Sequence, residues 1–182
     1  ACGDGPQKSS PSSPAVDPAD PAPLSQPVNP AVPATPLQVV NPVDPDIETF
    51  PDEGQNIVPL GTAIVYKTDP PTSGTHYVEV MAVGGFYSYV VSPPYLVHAM
   101  QHGGVIIYYS PAVTAEQLDH LKSLADQHPG RGGVVAAPRG DPTYPIILTA
   151  WTHRLRLTQY DAARIDAFIA LYWDKGPQHH EE

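Results

Sequence analysis

Thirteen of the chain's 24 prolines fall within its first 51 residues. Each proline removes a backbone donor and fixes φ, so a segment this rich in proline can extend neither a helix nor a sheet ladder. The stretch "SSPSSPAVDPADPAPLSQPVNPAVPATP" also offers almost no large apolar side chains, and burial therefore cannot offset the entropy of ordering it. The sequence predicts a disordered, partly polyproline II tether over residues 1–56, extended at up to about 3.1 Å per residue. A single folding unit is expected over 57–177, with a flexible tail at 178–182. Roughly 120 residues suffice for one hydrophobic core.

Charge divides along the same line. Residues 1–60 carry one Lys and eight acids, whereas the rest carries eight basic and eleven acidic residues, for a net charge of −10. No basic stripe is available to neutralise phosphates, which argues against nucleic acid or an anionic membrane surface as a partner. No run of 18 apolar residues occurs, so no transmembrane helix is expected.

One cysteine, Cys2, excludes an intrachain disulfide and a cysteine-based zinc cluster. "AC" ahead of a long Pro/Ser-rich spacer is the pattern around the processing point of a bacterial lipoprotein. The expectation is a lipid on Cys2 and a periplasmic or cell-surface location, with the membrane touched only through that anchor.

Within the folding unit, Ala63–Tyr66 and Tyr77–Val80 read as short strands flanking the turn "DPPTSG". Ser92 as N-cap, Pro93 and Pro94 in the first turn, and Gly103 as terminator define a short helix over 93–102. "VIIYYS" reads as a central strand. Thr114 and Gln117 form a capping box for a second helix that buries Leu118, Leu121 and Ala125. Strands are expected at 133–137 and 145–151, with 152–157 hairpinning from the latter. A third helix, opening at Thr158 or Asp161, sets Ile165, Phe168, Ile169 and Tyr172 on one face. This order predicts an α+β domain with about three helices on a mostly antiparallel sheet.

The chemistry concentrates in "LVHAMQHGG". His98 and His102 are one helical turn apart and share a face, which suits two imidazoles to one metal ion. A third ligand is needed, and His76, just after the "DPPTSG" turn, is the candidate. An all-imidazole set suits zinc, copper, nickel or iron, and the divalent order binds copper tightest, which puts copper first and zinc second among the expected ions. Met81 is a candidate soft axial ligand, Gln101 a candidate for orienting an imidazole by hydrogen bond, and Met100, which points away from both histidines, a core residue. The competing reading has the pair hydrogen-bonding carbonyls at the helix's negative end. Without a Glu beside the first His, zincin-type hydrolysis lacks its general base. Ser73 lacks the strand–turn–helix setting of a nucleophile elbow. His120 and His128 are expected to be solvated and His153 structural. His179 and His180 in the tail lack preorganisation, and "RGD" at 139–141 is a turn.

Taken together, "DPPTSGTHY", "LVHAMQHGGVIIYY", "VVAAPR" and "ILTAW", in this order and spacing, resemble the bacterial domain-of-unknown-function family 3105, whose members carry HxxxHG and are often exported. The resemblance covers about residues 60–177 and implies that His76, His98 and His102 belong to the recurring pattern. This chain has Met100-Gln101 where the family usually has Leu-Glu.

The expected function is transition-metal capture or delivery at a three-histidine site outside the cytoplasm, with another exported protein as a candidate partner and no catalytic residues assigned. The alternatives are a peptide or small-ligand module framed by the loop Pro70–Tyr77 and the helix at 93–102, and a metalloenzyme with an open coordination position.

Overall fold

The computed structural model describes residues 44–178. Residues 1–43 of the tether expected over 1–56, Cys2 among them, and His179 and His180 of the tail lie outside the described residues. Order begins earlier than composition predicts: residues 44–56 are part of the domain. Ile47 and Phe50 are buried, and β1 (Glu48–Thr49) pairs antiparallel with β8 (His153–Leu157). Two apolar side chains, one directly on either side of the two-residue strand, are enough to carry this proline-flanked segment onto the sheet edge. Glu48 locks it there, accepting from Arg154 Nε at 2.7 Å and from Arg156 at 2.9 Å.

The main sheet has the order β1-β8-β7-β5-β6-β4, with β7 at Ile146–Ala150, β5 at Val105–Tyr109, β6 at Val134–Pro138 and β4 at Gly85–Phe86. Pairing is antiparallel from β1 to β5 and parallel among β5, β6 and β4. The parallel pair β5/β6 follows from α2 (Ala115–Gln127), which carries the chain back across the sheet between them. The expected α+β class, three helices and mostly antiparallel sheet are what the domain has. The early strands differ: β2 is Ile57–Val58 and β3 is His76–Tyr77, paired parallel to each other, and 63–66 is irregular.

The strands β5 and β7 are buried along their whole length because both sheet faces are covered. On one face Val105, Ile107, Ile146, Leu148 and Leu155 pack against α2 and α3 (Ala162–Tyr172) through Leu121, Leu124, Ile165 and Phe168. On the other, Ile106, Tyr108, Val135 and Ile147 pack against α1 (Pro93–Gln101) through Leu96, Val97 and Met100. The period-2 alternation along each strand thus divides its side chains between two cores.

Capping works largely as the sequence predicts. Thr114 and Gln117 form both bonds of the capping box, and Asp161 caps α3. Ser92 occupies the N-cap of α1 without a side-chain bond, the two prolines that follow having removed amide donors it would otherwise serve. Gly103, at φ 89°, ends α1 in the left-handed region, where the Asp174 backbone also leaves no room for a Cβ.

Candidate metal centre

His76 is placed by a loop with little freedom. Thr72 N–H donates to Thr68 Oγ1, Ser73 Oγ accepts from Glu53 N–H, the Thr72 carbonyl accepts from Thr152 N–H, and Tyr66 O–H donates to the Thr75 carbonyl. His76 N–H then donates to Asn56 O as the first residue of β3. Next to it, β3 packs on α1, with Tyr77 edge-on to Tyr95 at 5.7 Å. The loop histidine therefore lies against the helix that carries the other two.

The three rings form a chain of neighbours, His76 to His98 at 4.8 Å and His98 to His102 at 5.2 Å between centroids. Imidazoles sharing one ion through bonds of about 2.0 Å have centroids about 3.2 Å from it, hence roughly 5 Å apart at a tetrahedral angle. Both separations fall in that span. His76 is fully buried, and His98 and His102 are each 9% exposed.

Hydrogen bonding fixes the tautomers. His76 Nδ1 lies 3.1 Å from the Gly74 carbonyl and His98 Nδ1 lies 3.0 Å from the Val80 carbonyl. A carbonyl only accepts, so both Nδ1 atoms donate, and in the neutral imidazole this leaves the lone pair on Nε2. His76 Nε2 is buried with no hydrogen-bond partner. Burial, working against the carbonyl bond and helped by the nearby Arg131 guanidinium, holds the His98 pKa below the ordinary histidine value and favours its neutral form. His102 Nε2 accepts from an Arg131 guanidinium N–H at 2.7 Å, which makes it a lone pair as well. With that nitrogen engaged, the ligating atoms are not converged. Among the described residues, no three His, Cys, Asp or Glu side chains are gathered into a group that could hold an ion as they stand.

The accessory residues fall elsewhere. Gln101 is buried, but its amide donates to Gln55 Oε1 at 3.2 Å, and backbone carbonyls rather than Gln101 orient the imidazoles of His76 and His98. Met100 is fully buried in the α1 core, and Met81 packs half-buried against that core, one residue beyond the carbonyl that holds His98. His120 is tied down rather than solvated, meeting Tyr160 Oη at 2.6 Å and Asp166 at 3.3 Å. His128 meets the Leu124 carbonyl. His153 meets the Trp151 carbonyl and stacks on Tyr172. Arg131 was not legible as part of the site: it lies 29 residues beyond His102, and its only sequence signal is its setting between glycines in "GRGG".

The fold and this cluster define a class: an α+β domain that buries three neighbouring imidazoles between a rigid loop and a short helix. Residues 58–182 match the family described as "Protein of unknown function (DUF3105)", and the chain belongs to that family. No curated protein matches the chain. No solved structure matches it either.

Proposed function

We propose that this domain binds a transition metal ion, copper or zinc, through Nε2 of His76, His98 and His102, and that it captures or delivers the ion rather than catalysing a reaction. The observation that carries the reading is His76 Nε2, a lone pair fully buried without a partner and beside the His98 ring. An unsatisfied buried acceptor costs about 1–3 kcal/mol, and a ligated ion repays it. The carbonyl bonds of His76 and His98 through the opposite nitrogen are the arrangement that orients metal-binding imidazoles. A location outside the cytoplasm, with lipid on Cys2, belongs to the same proposal and rests on the Ala-Cys pair and the Pro-rich stretch after it.

The test is metal stoichiometry of the full chain under zinc(II) and copper(I), with chelator competition for affinity. One ion per chain, lost in His98→Ala, supports the reading; absence of binding to either ion overturns it.

The small-ligand alternative has its own observation, a cavity of about 60 Å³ between the loop at Pro70 and Pro71 and the helix at Pro93 and Leu96, lined also by Tyr108 and Arg139. Its volume is that of a few water molecules, and none of the three histidines lines it. It supports a peptide site less well than the imidazole cluster supports an ion.

A further inference from the structure

Arg131 makes an unusual contact. Arg139, Arg154, Arg156 and Arg164 each pair with an Asp or Glu. Arg131 forms no ion pair among the described residues, and its guanidinium donates instead to the His102 lone pair.

We infer that Arg131 is a specificity-determining residue of the three-histidine site, a displaceable plug whose guanidinium competes with the ion for His102 Nε2 and disfavours dications relative to monocations. The inference rests on the metal-binding reading above.

The backbone around Arg131 is held independently of the bond that its side chain makes to His102. Gly130 and Gly132 have φ of 81° and 70°. The Gly130 carbonyl accepts from Gly84 N–H at 2.7 Å, and the Gly132 carbonyl accepts from Trp173 Nε1 at 3.2 Å. A Cβ on Gly132 would run into the His102 carbonyl oxygen, so the turn is seated on the end of α1. Arg131 itself is exposed, and its side chain can rotate into solvent without moving that turn. Once displaced, the guanidinium stays tethered within about a Debye length of the ion, roughly 8–10 Å. Coulomb repulsion scales with the ion's charge, so zinc(II) is penalised twice as heavily as copper(I).

A structural role is the competing account, since a cation beside a helix C-terminus gains from the dipole. That account predicts a change in thermal stability on replacing Arg131 and no change in metal preference. The deciding experiment measures zinc(II) and copper(I) affinities of the full chain by chelator competition for wild type, Arg131→Ala, Arg131→Lys and His98→Ala. The expected result is tighter binding by Arg131→Ala, about 10- to 100-fold for zinc(II), the scale of losing one charge-assisted hydrogen bond. The gain for copper(I) is smaller, and Arg131→Lys keeps the wild-type zinc-to-copper ratio. If wild type binds and His98→Ala does not, yet Arg131→Ala matches wild type or gains equally for both ions, the inference falls and the metal site stands. Absence of binding in every variant overturns the site and the plug together.

Discussion

Replacing His76 by leucine separates what this residue does for stability from what it does for binding. His76 has no exposed surface, one bond from Nδ1 to the Gly74 carbonyl, and an Nε2 without a partner. Leucine has a similar volume. The substitution loses the Nδ1 bond, about 1 kcal/mol, and leaves the buried Gly74 carbonyl unpaired at about another 1–2 kcal/mol. It also removes the orphaned Nε2, a relief of about 1–3 kcal/mol, and adds about 1 kcal/mol of apolar burial. These nearly cancel, and the metal-free His76→Leu protein should unfold within about 1 kcal/mol of wild type in urea, followed by far-UV circular dichroism. His76→Ala should instead lose about 2–4 kcal/mol through the cavity it leaves. The binding effect is opposite in size. Structural zinc sites with four ligands are worth about 10–16 kcal/mol, so one ligand accounts for roughly 3 kcal/mol and its loss for about 100-fold in affinity. Chelator competition with zinc(II) reads that number. A metal-free His76→Leu protein destabilised by more than about 3 kcal/mol would show that Nε2 is satisfied in the native state, and unchanged zinc affinity would remove His76 from the site.

Three further outcomes follow from the fold. Glu48→Ala leaves Arg154, only 7% exposed, without its carboxylate, and should destabilise the protein by about 3 kcal/mol in urea titration. A chain starting at Ile57 loses Ile47 and Phe50, worth about 1.5–3 kcal/mol each, besides the Glu48 pairs, and should melt far lower or not fold. Burial lowers the pKa of His98 and His153, opposed by carbonyl bonds at Val80 and Trp151. Both are neutral in the folded state where the unfolded chain would take up protons. Their stability contribution is therefore complete above the ordinary histidine pKa of about 6.5, and is lost as pH falls from there through the lowered folded values. Melting temperature should be flat at neutral pH and decline in that acidic window, less steeply in His153→Gln.

The periodic elements were legible because their signals are local. A capping box at Thr114, the two strands over 145–157 and a helix bounded by Ser92-Pro93 and Gly103 depend on neighbours within a few residues, and the structure places all three as read. The pairing of β1 with β8 was not legible. Its energy comes from Arg154 and Arg156, more than 100 residues from Glu48, and a proline-rich context hides the two apolar side chains that seat it.

The sequence by itself determined that His98 and His102 share a helical face, since a 3.6-residue period leaves no other arrangement at that spacing. Only the tertiary structure decided that β3 lies on α1, which sets His76 against His98, and that two carbonyls aim the Nε2 lone pairs of those rings. It alone brought Arg131 onto His102. Such contacts join segments far apart in the chain, and their geometry is fixed by how the sheet and helix bury apolar surface rather than by any local pattern.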